Sequence, residues 1–118
     1  MSALTGLKKT VEILVYDAST EASATTPTID VSDTAYLNVQ LTGAAAWDGT
    51  ITFEGTLDGT NWTTIQGERR DTGVLITTYT GTTSFQVQFD VSGIDLFRLN
   101  LASRTVGNVT ARARGMAN

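Results

Sequence analysis

The sequence of 118 residues has no cysteine, no histidine and a single proline, Pro27. Without cysteine there is no disulfide framework and no thiolate chemistry. Without histidine, the side chain that most often moves protons near neutral pH is missing. Charged residues make up 17% of the chain, below the roughly 25% of an average domain. No apolar run approaches the ~20 residues of a membrane-spanning helix. The stretch VEILVY (11–16) carries Glu12 and follows Lys8 and Lys9, so it is too short and too interrupted for a secretion signal. The expectation is a protein not exported by the usual route.

Further absences narrow the chemistry. A carboxylate pair for glycoside hydrolysis would have to come from Glu54, Asp58, Glu68 or Asp71, whose spacing does not converge them. No glycine-rich phosphate loop precedes a helix. The expectation is a protein that is not an enzyme, with no cofactor, no metal site and no catalytic residues. The net charge of −4 argues against nucleic acid and anionic membranes as partners.

Threonine and alternating apolar residues fill the space. Threonine is β-branched and suits exposed pleated surfaces. In AYLNVQLTG (35–43), Leu37, Val39 and Leu41 share one face and Tyr36, Asn38 and Gln40 the other. SFQVQFDVSG (84–93) alternates through Phe85, Val87, Phe89 and Val91. LFRLNLAS (96–103) does so through Phe97, Leu99 and Leu101, and NVTARARGM (108–116) through Val109, Ala111 and Ala113. VLITTYT (74–80) reads as one more strand. No segment longer than a turn has helical period. About eight short strands at 8–12-residue spacing predict an all-β fold, a single antiparallel β-sandwich with jelly-roll-like character. Residues 1–28 read as an N-terminal arm and polar linker, and 29–118 as the sandwich domain.

ITFEGTLDGTNWTTI (51–65) alternates, stops at Asp58-Gly59 and alternates again. Asp-Gly between alternating runs is a strong hairpin signal. The reading puts Ile51, Phe53 and Leu57 inward and Thr52, Glu54 and Thr56 outward. DGT occurs at 48–50 and 58–60, flanked by Trp47 and Trp62 respectively. One reading is a paired-loop site, with Asp48 and Asp58 on calcium or Trp47, Trp62 and Tyr79 stacking on a glycan. The plainer reading is two turns with aromatics locking the strand ends. Calcium wants six to eight oxygens, and no D-x-D-x-D-G loop is present.

Five of the eight cations fall at 69, 70, 98, 112 and 114. A hairpin of 96–103 with 108–116 would place Arg98, Arg112, Arg114 and Asn100 on one outward face. That face is either solvated and paired internally, by Glu54, Asp90 or Asp95, or a protein-docking surface. VEILVY either pairs within its own subunit or acts as a strand-exchange arm through Val11, Ile13 and Val15.

LNVQLTGAAAWDGTITFEGTLDGTNWTTI, followed by FQVQFDVSGIDLFRLNLAS and GNVTARARG, resembles a β-sandwich pattern recurrent among tailed-bacteriophage virion proteins. The match covers about residues 37–115. The resemblance implies a structural component of a virion, assembled in the host cytoplasm. It implies a capsid decoration (cement) protein that binds the major capsid protein and itself, as a trimer by analogy with such proteins. A carbohydrate-binding module and a tail or tail-tube accessory domain are the alternatives. Asp58, Gly59 and Trp62 match as fold-forming residues, and no catalytic residue comes with the pattern.

Overall fold

The computed structural model describes residues 10–14, 24–44 and 46–117. These residues form two antiparallel sheets and no helix. The strands are β1 (Thr10–Leu14), β2 (Ala24–Thr25), β3 (Ile29–Asp30), β4 (Thr34–Gly43), β5 (Thr50–Thr56) and β6 (Thr63–Thr64). They continue with β7 (Gly67–Arg69), β8 (Leu75–Ile76), β9 (Thr78–Tyr79), β10 (Phe85–Asp90), β11 (Leu96–Ala102) and β12 (Val109–Ala117). One sheet, here the β4 sheet, has the order β1-β12-β4-β10-β7-β8. The other, the β5 sheet, has the order β2-β11-β5-β6, with β3 also on β11 and β9 also on β5. The all-β antiparallel sandwich is therefore present. The count exceeds eight because the sheets are extended by pieces of two or three residues.

The core lies between the sheets and follows the period of two. Leu37, Val39, Leu41, Val87, Phe89, Val109 and Ala111 face inward from the β4 sheet, each 2% exposed or less. Ile51, Phe53, Phe97, Leu99 and Leu101 meet them from the β5 sheet, each fully buried. Phe89 touches both Phe53 and Phe97, with ring centroids 4.9 and 5.0 Å apart. Gly67 lies where β7 crosses this cluster: a Cβ there would come within 2.4 Å of Val87 and 2.5 Å of Phe89.

Four expectations are corrected. The Asp58-Gly59 turn is a loop of residues 57–62, so β5 ends at Thr56 and the alternation ends with it. Leu57 is 72% exposed while Thr56 is buried. The Thr56 hydroxyl donates to the Asn61 carbonyl at 2.7 Å and accepts the Gly59 N–H at 3.1 Å, organising the loop from inside. VLITTYT is not one strand: β8 joins the β4 sheet and β9 the β5 sheet, so the chain changes layers at Thr77. There the Thr77 carbonyl accepts the Phe53 N–H at 3.1 Å.

The 96–103/108–116 hairpin does not form. β11 pairs with β5, and β12 with β4 and β1, so residues 103–108 cross between the sheets. The stretch read as linker also takes part in the sandwich from residue 24 onward. β2 and β3 lie along β11, and between them Thr26 is buried. Its hydroxyl accepts the Leu99 N–H at 2.9 Å and its own N–H donates to the Leu99 carbonyl at 3.0 Å. A side-chain oxygen thus serves a backbone donor where Pro27 interrupts the ladder.

Candidate functional site

The outer faces of the two sheets carry the arginines singled out in the sequence, and they divide them. On the β5 sheet, Arg98 lies directly opposite Glu54. Its Nε donates to Glu54 Oε1 at 2.7 Å, and its guanidinium lies 4.0 Å over the Trp62 ring. The side chains are 23% and 14% exposed, so water is largely excluded from the pair. Asn100 Nδ2 donates to the other Glu54 oxygen at 3.3 Å. Of the three carboxylates considered as offsets, Glu54 is the one beside Arg98. This cluster is packed and internally satisfied.

On the β4 sheet the arrangement differs. Arg112 lies opposite Gln40 on β4 and opposite Glu12 on β1. Arg114 lies opposite Asn38 and Thr10, and makes no ion pair among the described residues. Arg112, Arg114, Asn38, Gln40, Gln86 and Met116 line a shallow trough of about 590 Å³. Asn38 Nδ2 reaches Met116 Sδ at 3.5 Å, and Tyr36 and Met116 stand 44% and 46% exposed at one end of it. Arg70 donates to Gln88 at 2.7 Å on the far side of the same face. Arg98 and Asn100 are thus on the opposite side of the molecule from Arg112 and Arg114. The single four-residue face expected from the sequence is two faces.

The paired-loop site is also taken apart. Asp48 precedes β5 and Asp58 follows it, so the two DGT stretches sit at opposite ends of one strand, about 20 Å apart. Asp48 accepts from the Thr105 hydroxyl and from the N–H groups of Thr105 (2.8 Å) and Val106 (3.1 Å). These bonds, the Thr105 hydroxyl foremost, pull its carboxyl down to about 2. Asp58 accepts the N–H groups of Asn61 and Thr60, each at 2.8 Å, and Asn61 Nδ2 at 2.7 Å. Those donors, the Asn61 N–H first, hold it well below the usual carboxylate range. Asp58 staples its own loop, and Asp48 ties the 103–108 crossing to the start of β5. No group of three or more acidic side chains is arranged for a metal among the described residues.

The glycan-stacking trio fails for a related reason. Trp47 and Tyr79 are 3% and 0% exposed and stack on each other at 5.3 Å. The Tyr79 hydroxyl accepts the Gly43 N–H at 2.9 Å and donates to the Thr83 carbonyl at 2.7 Å. Burial raises the Tyr79 phenol above its ordinary range. Gly107, at φ +83°, passes so close to Trp47 that a Cβ would lie 2.5 Å from the Trp47 Cα. The two aromatics are core, sealed under the crossing 103–108. Trp62 remains half-buried beneath Arg98.

The same arrangement, two sheets closed by an inter-sheet crossing, matches known proteins over nearly the whole chain. The XepA family model covers residues 9–117. The chain belongs to the XepA family. The crystal structure of the PBSX exported protein XepA aligns at a TM-score of 0.77 and 19% identity, over 93% of this chain and 38% of that one. The chain therefore spans well under half the length of that XepA. The crystal structure of the SPBc2 prophage-derived protein YomS aligns at a TM-score of 0.73 and 16% identity, over 91% of this chain and 93% of that one. At these identities the likeness shows the fold. No curated protein matches the sequence.

Within this XepA-family sandwich, the trough residues Asn38, Gln40, Gln86 and Met116 were not singled out from sequence. The outward parity of Tyr36, Asn38 and Gln40 was legible. What was not legible is that β12, and not β11, lies beside β4. Of the strand-exchange positions, Val11 lies opposite Ala113 and Ile13 opposite Ala111, while Val15 falls outside the described residues.

Proposed function

We propose that the chain is a non-catalytic, phage-associated structural protein that docks through the outer face of its β4 sheet. The carrying observation is the amide-and-arginine trough of Asn38, Gln40, Gln86, Arg112 and Arg114, bordered by Tyr36 and Met116. Amides and guanidinium groups pair with carboxylates and backbone carbonyls, and the exposed Met and Tyr supply the apolar margin of an interface. Membership of the XepA family, and likeness to a prophage-derived YomS and a PBSX XepA, support the phage association. The finer role we propose is virion decoration, with the major capsid protein and sister copies as partners. Many weak contacts repeated around a symmetric shell add by multivalency.

The test is to induce the phage and fractionate the lysate on a density gradient. The decoration role predicts the chain in the capsid band, and an Arg112→Glu/Arg114→Glu variant depleted from it about tenfold or more. A second reading has one observation in its favour: the aligned XepA is described as an exported protein. That reading predicts the chain free in the medium and absent from particles. Binding to tails alone would move the partner from capsid to tail.

A further inference from the structure

The β12 side of the β4 sheet is closed by β1, a strand of the N-terminal stretch. Ala111 and Ala113 on β12 are 0% and 2% exposed, yet their side chains are single methyl groups. Without a strand beside it, β12 would be an edge strand with a row of unpaired main-chain groups. β1 fills that place, with Thr10–Leu14 running antiparallel to Thr110–Arg114. β12 is its one strand neighbour among the described residues. Such pairing runs through main-chain groups, which are the same on any copy of the chain.

The length of the connection, read from the sequence, allows either arrangement. Leu14 lies opposite Thr110, at the start of β12, and Ala24 opposite Leu101, at the end of β11. Both points are at the Trp47 end of the sandwich, one in each sheet, and packed sheets are about 10 Å apart. The nine residues between, VYDASTEAS, reach up to ~30 Å. That length closes β1 onto its own subunit and is also long enough to cross to an adjacent one.

We infer that β1 is an exchangeable strand, which closes on its own β12 in dilute solution and on the β12 of a second copy where copies are held side by side. The two states contain the same pairing, so local concentration decides between them. A nine-residue tether holds its own strand at an effective concentration on the order of mM, and an ordered array offers a neighbour's edge at a comparable level. The inference does not depend on the virion reading, since any close array of copies serves.

The absence of native cysteine makes the test clean. Thr10→Cys chains are mixed with Arg114→Cys chains, concentrated and oxidised. These positions face each other across β1 and β12, within the range a disulfide bridges. Exchange predicts mixed disulfide dimers at least about tenfold in excess over like-with-like dimers, rising with concentration. A second experiment leaves β1 and β12 untouched and deletes residues 18–22. The four residues that remain reach ~13 Å and barely span the sheets, so light scattering is expected to read dimers or larger closed species. Monomeric mixtures at mM-range concentration, or a shortened chain that stays monomeric and folded, would overturn the proposal.

Discussion

The β5 face and the β4 face use arginine in opposite ways. On β11, Arg98 finds a carboxylate directly across the ladder, and Trp62 and Asn100 complete the cluster. On β12, Arg112 and Arg114 find Gln40 and Asn38 across β4. The residue type is the same and both strands are central. What differs is the setting of the partner in register. Glu54 beside Arg98 is packed under Trp62 and Asn100, whereas Arg114 has Asn38 and Thr10 opposite, and Arg112 has Gln40 on one side and Glu12 on the other. The proposed docking surface is therefore placed on the β4 face, where Arg114 and the amides of Asn38 and Gln40 line the trough.

The largest effect expected from breaking this comparison is on the clasp. Glu54→Ala leaves Arg98 without its partner in a three-quarters buried site and is expected to cost about 2 kcal/mol in urea unfolding. Replacing both partners by leucine is expected to recover most of that, because the burden is the stranded charge. Equal losses for Glu54→Ala and the double variant would remove the distinction between the faces. Trp62→Ala, which uncovers the guanidinium, is expected to cost about 1 kcal/mol by the same assay.

A smaller effect sharpens the contrast from the other side. Asn38→Glu with Gln40→Glu places carboxylates opposite Arg114 and Arg112, so the β4 face then imitates the β5 face. Stability is expected to change by less than about 1 kcal/mol, while recruitment to particles falls sharply. Retained recruitment would show that the guanidinium groups are not the docking donors.

The smallest effect concerns the exposed loop ends and acid. The Asp48 carboxyl is depressed in the folded state, chiefly by the Thr105 hydroxyl and then by the Thr105 and Val106 N–H groups. Its contribution is present above the ordinary 3.8 and is lost as pH falls toward about 2. Asp48→Asn is expected to flatten part of the fall in melting temperature across that window, and an unchanged acid profile would show that the loop bonds do not stabilise the fold. The same sign applies to Asp58, whose folded-state carboxyl is also depressed.

The sequence by itself determined the strands that rest on local alternation. Leu37, Val39 and Leu41, then Val87, Phe89 and Val91, then Phe97, Leu99 and Leu101 all point where their period of two requires. The absence of helical period settled the fold class in the same way. Tertiary structure alone decided who lies beside whom. Six residues, 103–108, can turn a hairpin or cross the ~10 Å between sheets, and alternation is identical in both cases. The crossing is made where Gly107 takes positive φ and packs on Trp47, and where Asp48 holds Thr105 and Val106. Those contacts join segments about sixty positions apart, so no local pattern announces them. They place Arg98 opposite Glu54 and put Arg112 and Arg114 on the other side of the molecule, because register is a property of the assembled sheet.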